Sequence, residues 1–473
     1  MYVVAGGGLA GLVAAARIVE AGHDVRVFEP TDAVGGIART YGTAGDPIER
    51  FPTPLGSTDI DRGGRVHEVA AAHGVADRIV RSRGRTARYL DGVVHPVDAP
   101  WERLAYPGLG PRNVLRRRRV ERAVRASVPD DVSARSFLAD RGVDRDDEWF
   151  EPRLHAEFGD QAGDVSAAWL ADRFEARTDR DRHGVVVGRF EGSFRVLVEA
   201  LIETIGDGRI RRNARVVDVD AAAGDDSAFD DAGLGSVDGD PASVDGGSPV
   251  TVSVTDDART RQLEADGVVL ATGPRELERV IGTTVGVDPL ARTCALVTTT
   301  DPVTDVWRLI PDGDAPFGTL VEHTNAVPPT RYGGDHLLYL VGRGVGSRGG
   351  DDEGVSDEGV RESWLAALSD RFPSFSRESV RSVRVATDPC AAVVPRSGST
   401  RDEARGDWPL PVDLSGAGFG RIAYAGPGSE ADRFGTGIGA RVAAGVAAGE
   451  AALDGTPPPE PDGWSWGTNA ESR

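Results

Sequence analysis

Residues 3 to 36 run Val3-Val4-Ala5-Gly6-Gly7-Gly8-Leu9-Ala10-Gly11, then an apolar stretch of helical character, then Val25-Arg26-Val27-Phe28-Glu29, and close on Gly35-Gly36. This order predicts a buried strand, a tight glycine turn, a helix opening at the turn, and a second strand ending in an acid. Gly6 permits the turn, Gly8 carries no Cβ to obstruct a pyrophosphate, and Gly11 lets the helix pack closely on the strand. The first helical residues, Leu9 and Ala10 among them, offer free N–H groups and the positive end of the helix dipole to phosphate. Glu29 falls about 20 residues beyond the turn, where a carboxylate holds ribose hydroxyls. The stretch therefore specifies a dinucleotide site.

A site ending at Glu29 would serve NAD equally well. A second glycine turn, Gly35-Gly36, with Arg39 after it, resembles the extended N-terminal motif of the amine oxidase, phytoene desaturase and protoporphyrinogen oxidase superfamily of flavoproteins. The resemblance implies FAD. It also implies that Gly36 passes beside the pyrophosphate and ribitol, with Arg39 neutralising phosphate charge. A solvated Arg39 is the alternative. No His or Cys stands in a recognisable attachment motif, so the flavin is expected to be non-covalent.

Length and composition bound the rest. A chain of 473 residues suits two or three domains. Its formal net charge is −21, and all 54 of its basic residues are Arg. An acidic, lysine-free surface suggests a halophilic type, in which high salt screens self-repulsion. Such a charge also makes nucleic acid an unsuitable partner. Cys294 and Cys390 are the only cysteines, and the eight His are scattered, so neither a disulfide framework nor a metal site is expected. No apolar run reaches the ~18 residues needed to span a bilayer. A strand beginning at residue 2 leaves no room for a signal peptide, so a cytoplasmic location is expected.

Further along, the Pro-rich loop 49–57 precedes a helical pattern over 61–81. A hairpin follows at residues 87–94, turning on Asp91-Gly92. Helical, charge-rich sequence covers 112–178. The run Arg116 to Arg119 reads as a solvated helix face or, alternatively, a phosphate patch. A helix over 196–205 leads to paired strands at 210–219 and 249–254. Between these strands, 221–248 is nearly all Ala, Asp, Gly and Ser and reads as a flexible acidic insertion, as does 344–359. Residues 456–473 read as a tail. Two strand-and-turn segments return to the cofactor: Asp266 to Pro274, and Arg421 to Gly428. The second leads through Gly437-Ile438 into a small-residue helix whose N-terminus can stabilise charge on a reduced flavin.

With these pieces the whole chain resembles the same superfamily, in the branch near protoporphyrinogen oxidases and UDP-galactopyranose mutases. Glu49-Arg50-Phe51, Arg88 to Pro96, Phe190-Glu191-Gly192-Ser193-Phe194 and Ala386-Thr387-Asp388-Pro389 are similar to segments of that branch. The resemblance implies backbone contact of Val216 with adenine, and cofactor contacts at Gly273, Gly426, Gly437 and Ile438. One departure stands at Pro427, where the superfamily carries an acid; Glu430 or Asp432 could replace it. Another is the absence of the Lys, and of late aromatic residues over 380–395, on which amine oxidases depend. Amine oxidation is therefore disfavoured.

The expected fold is α/β: a Rossmann-type FAD-binding domain interleaved with an α+β substrate domain. The former takes residues 1–60, 191–285 and 415–455, and the latter 61–190 and 286–414. The expected function is an FAD-dependent oxidoreductase that takes two electrons, as hydride to flavin N5, from an apolar or cyclic small molecule. A carotenoid precursor or a porphyrinogen would serve. No catalytic acid or base is recognisable. An apolar substrate would also suit peripheral contact with a membrane. The alternatives are a non-redox sugar-nucleotide mutase and a flavin-independent binding protein of the GDP-dissociation-inhibitor type.

Overall fold

The computed structural model describes the chain except residues 110, 127, 130, 144–148, 176–179, 222–248, 257–258, 312–314, 345–355, 398–407, 416–420, 435–436 and 455–473. The insertion expected at 221–248, most of that at 344–359, and the tail lie outside the described residues.

The centre of the molecule is a five-stranded parallel sheet. Its order is Ile422–Tyr424, Gly267–Leu270, Tyr2–Ala5, Val25–Glu29 and Ile210–Arg212. All four residues of Tyr2–Ala5 are buried, and alternate residues serve opposite faces. Tyr2 and Val4 pack under the helices Leu9–Glu20, Arg195–Ile205 and Ile438–Asp454. Val3 and Ala5 pack towards the helix Pro274–Ile281 and an antiparallel sheet formed by Ala214–Ala221, Val250–Asp256 and Arg259–Ala265. Burial on both faces explains why this strand shows no polar alternation. The C-terminal helix Ile438–Asp454 lies against Leu9–Glu20 through glycines. A Cβ on Gly445 would stand 2.3 Å from the Ala10 carbonyl oxygen.

The second layer is a seven-stranded sheet ordered Val380–Val393, Pro289–Thr299, His336–Arg343, Thr319–Glu322, Arg308–Ile310, Thr86–Leu90 and Val93–Pro96. One face, with Ala295, Val297, Leu338 and Leu340, packs on the helix Asp357–Arg371. The other, with Leu296, Val321 and Tyr339, turns towards the cofactor-binding layer through Val187, Tyr332 and Ile48. Helices Pro111–Ala126, Ala134–Ala139, Glu151–Phe158 and Ala168–Glu175 form a separate cluster at one side.

Several local expectations change. Ile79 opens a strand, Ile79–Gly84, paired with Val185–Phe190, so the helix of this region is only Arg65–Ala72. The strand expected over 210–219 divides at Asn213, whose φ is +55°, sending its halves into different sheets. Trp408, Leu410 and Leu414 belong to the core of the first layer, which therefore begins before residue 415. Ser356 caps the helix Asp357–Arg371, which removes 356–359 from the expected insertion.

Candidate functional site

A cleft of about 440 Å³ opens at the carboxyl ends of the parallel strands, where an open α/β sheet places its ligands. Gly6, Gly8, Leu9, Ala10, Glu29, Gly36, Val216, Gly273 and Gly426 line it. The glycines fall into two kinds. Gly6 (φ +106°) and Gly11 are fixed by packing: a Cβ would stand 2.3 Å from the Ala271 oxygen in one case and 1.9 Å from the Gly6 oxygen in the other. Gly426 is similarly pressed on Thr272 at 2.2 Å. Gly8 is different. A Cβ there would meet nothing nearer than Gly36 Cα at 4.0 Å, so the protein itself leaves that space clear for a ligand. Gly36 (φ +54°) faces it, and Gly35 N–H donates to the Gly7 oxygen at 2.8 Å, joining the two glycine turns.

The donors and acceptors suit phosphates and sugar hydroxyls. The first intrahelical bond runs from Leu12 N–H to the Gly8 oxygen, which leaves the Leu9, Ala10 and Gly11 N–H groups at the mouth of the helix. Glu29 is 8% exposed. It accepts from Gly7 N–H at 2.8 Å and from both the N–H (3.0 Å) and the hydroxyl (2.7 Å) of Thr31, which aims its carboxylate along the cleft wall. Thr272 Oγ1, in the opposite wall, is buried and has no hydrogen-bond partner among the described residues. A buried hydroxyl of this kind calls for a ligand atom. Val216 closes a third side, its carbonyl accepting from Arg279 Nη2 at 3.1 Å.

The cation in the cleft differs from the one expected. The Arg39 guanidinium turns to Asp32 (3.3 Å) and Thr31 (3.5 Å) and does not line the cleft. Arg441 and Arg215 do. Arg441 lies one turn into the helix that follows Gly437, so Gly437 and Ile438 stand behind it rather than in the wall. Asp432, buried, holds Arg441 Nη1 at 2.9 Å, while Glu430 is exposed. Neither acid reaches the cleft to replace the one missing at Pro427; Asp432 acts on it only through Arg441. Spacing could have revealed Arg441, which follows Ile438 by three residues, on the same helix face. Cys390 also lines the cleft, its thiol pushed up to about 12 by burial and so protonated.

Between this cleft and the seven-stranded sheet lies a set of side chains that no local pattern announces. The chain runs from Gly36 through the strand pair Thr40–Tyr41 and Ile48–Glu49 into Arg50. Tyr339 Oη donates to the Glu49 carbonyl at 2.7 Å, and Phe194 N–H donates to the Glu49 carboxylate at 2.9 Å. His323 Nε2 and Tyr332 Oη are 2.6 Å apart. Burial, with Arg189 adding to it, pushes His323 down to about 3 and keeps it neutral. Burial raises Glu49, opposed by the Phe194 N–H. The Arg50 guanidinium stacks on Tyr41 at 5.2 Å, with Arg384 also on that ring at 5.1 Å. The Nε atoms of Arg50 and Arg189 and the Thr53 hydroxyl are buried without a hydrogen-bond partner among the described residues.

The parallel sheet, the paired glycine turns and the ribose-side acid together define a dinucleotide-binding flavoprotein. The chain belongs to the flavin containing amine oxidoreductase family, which it matches over residues 9–452; it is an FAD-dependent oxidoreductase. It is 27% identical over 230 residues to coproporphyrinogen III oxidase of Mycobacterium tuberculosis, an alignment that covers 42% of this chain and 50% of that one. The chain thus spans half the length of the curated relatives it matches. In fold it is similar to an Exiguobacterium sp. 255-15 protein assigned as a protoporphyrinogen oxidase, with a TM-score of 0.67, 16% identity and coverage of 96% and 98%. It is similar also to cyclohexylamine oxidase of Brevibacterium oxydans, with a TM-score of 0.66, 15% identity and coverage of 96% and 98%.

Proposed function

We propose that the protein oxidises a cyclic, largely apolar substrate carrying carboxylates, of the porphyrinogen class, by two electrons at a time. The observation that carries this reading is the pair of buried arginine nitrogens at the junction, Arg50 Nε and Arg189 Nε, which have no hydrogen-bond partner among the described residues and are set among aromatic side chains. Buried guanidinium donors call for anionic acceptors, and arginine suits carboxylate. Tyr41, half-buried beside Arg50 and Arg384, offers ring surface for a flat apolar body, and the buried Tyr332 and Tyr339 pack behind it. The likeness to coproporphyrinogen III oxidase supports the same class. An amine fits this set poorly, because the cations that line the junction would repel a protonated substrate.

When bound, FAD supplies a two-electron acceptor at N5. The chain's own part is to hold and dry the substrate. Arg50 and Arg189 fix its acidic arms, and the buried tyrosine network keeps water away. His323, held neutral, shares a hydrogen bond with the Tyr332 hydroxyl through Nε2 and so keeps that ring in place. The test is anaerobic mixing of the flavin-loaded protein with coproporphyrinogen III, cyclohexylamine, a carotenoid precursor and a nucleotide sugar in turn. Bleaching of the flavin by the porphyrinogen is expected, with porphyrin fluorescence appearing only when flavin-loaded protein is in excess, because each flavin takes only one of the electron pairs that separate porphyrinogen from porphyrin. Bleaching by the amine or the carotenoid precursor alone would overturn the assignment.

A further inference from the structure

We infer that the helix Pro111–Ala126, with the short helix Pro100–Ala105 before it, forms a surface that docks the protein on an anionic lipid bilayer. In a chain of net charge −21, this helix carries seven arginines and a single acid, Glu121. The arginines divide by face. Arg117 turns inward, donating to Glu121 at 2.8 Å and stacking on Trp149 at 4.4 Å. Arg118, Arg119, Arg122 and Arg125 are exposed, and none makes a hydrogen bond or ion pair with the described protein. Elsewhere in the molecule arginines commonly have carboxylate partners, as Arg331 has Asp46 and Glu191.

The second observation is apolar. The large hydrophobic side chains exposed among the described residues are Val93, Trp101, Leu104 and Leu115, at 52%, 61%, 63% and 59%. All four fall within one short stretch of chain. Leu115 stands on the arginine face, since residues 115, 118, 119 and 122 are spaced for one side of a helix. Trp101 and Leu104, three apart, share a face of the preceding helix. Tyr106 at the end of that helix and Arg117 of the basic helix pack on the same Trp149 ring, at 6.0 and 4.4 Å, which holds the two helices together.

The charge selects the partner. Unpaired guanidinium groups suit lipid phosphate, and a tryptophan with two leucines suits the headgroup boundary, where an amphipathic ring sits half in water. Nucleic acid would meet repulsion from the rest of the acidic molecule and has no use for exposed leucines. No helix among the described residues is long and apolar enough to cross a membrane, so the contact is peripheral. This inference does not depend on the substrate assignment.

The experiment is co-sedimentation of the full-length, flavin-loaded protein with vesicles of phosphatidylcholine alone or mixed with phosphatidylglycerol. Binding should be on the order of tenfold stronger with the anionic lipid and should weaken as salt rises. Arg118→Gln, Arg119→Gln, Arg122→Gln and Arg125→Gln together should remove the salt-sensitive part. Trp101→Ser with Leu104→Ser should lower binding at every salt concentration, with flavin content unchanged in both variants. Equal binding to both vesicle types, or a quadruple variant that binds like the native protein, would overturn the proposal. So would binding to a DNA duplex without binding to vesicles, or a dimer lost on Trp101→Ser in a protein that ignores lipid.

Discussion

The cofactor cleft and the junction beside it are built by opposite means. In the cleft the backbone leads the binding: glycines clear a space, a helix offers its N–H groups, and polar side chains such as Glu29, Thr272, Arg215 and Arg441 stand around that cradle. At the junction the backbone is ordinary, and arginines, tyrosines, a histidine and a glutamate converge from segments as far apart as residues 41 and 384. A backbone site tolerates side-chain change except where the ligand's own volume lies. A side-chain site is altered by any one of its members.

Four measurements sharpen or break that contrast. The largest effect should come from Gly8→Val, which places a side chain in the open space and should abolish flavin retention while leaving the protein folded. Wild-type flavin content in this variant, after gel filtration, would end the dinucleotide reading of the cleft. Next is Glu322, which is buried behind the junction and pushed up to about 7 by that burial, against the N–H groups of Val303 and Thr304 and the Thr324 hydroxyl. Its folded-state pKa is raised above the unfolded value, so the stability it contributes is complete below about pH 4.5 and lost as pH rises through about 7. The stability of the native protein relative to Glu322→Gln should therefore fall by roughly 3 kcal/mol over that interval. Chemical denaturation at several pH values measures it, and a difference independent of pH would contradict it.

A smaller change is expected for Glu29→Ala, which removes hydrogen bonds at the ribose side but leaves the phosphate cradle. Flavin affinity should drop by about 1.5–3 kcal/mol, the scale of bonds to a charged acceptor; equilibrium titration of the apoprotein reads it. Smallest in its reach is Arg189→Gln. It should raise KM for an acidic substrate about tenfold, the weight of one exchanged charged contact, and leave flavin affinity untouched. Loss of flavin in this variant would mean that cleft and junction are not separate in function.

The same contrast explains what could be read from the chain. The turn at Gly6 to Gly11 and the acid at Glu29 lie within one strand-helix-strand unit, so their spacing fixes their geometry before any tertiary contact forms. The strands Gly267–Leu270 and Ile422–Tyr424 were legible from apolar runs ending in glycine. Arg50, Arg189 and His323 carry no such signature, because an arginine's role depends on what faces it and their neighbours arrive from other segments. Arg39 shows the reverse case. Its position in the motif leaves phosphate and solvent both open, and Asp32 and Thr31 lie within reach and take the guanidinium. Ile79 has a helical look in the local pattern because its partner strand, Val185–Phe190, lies far along the chain.

The order of strands in the parallel sheet has a bearing on how the protein comes to be yellow. Tyr2–Ala5 is the central strand, yet one of its neighbours is Gly267–Leu270, and beyond that lies Ile422–Tyr424. A ribosome delivers residues 1–36 well before the wall containing Gly426 and Arg441. Until then the glycine turns are present without the opposite side of the crevice, and the first helix lacks the C-terminal helix that covers it. Flavin loading thus waits until the wall with Gly426 and Arg441 has been made. A nascent chain stalled before residue 420 should stay colourless however much cofactor surrounds it.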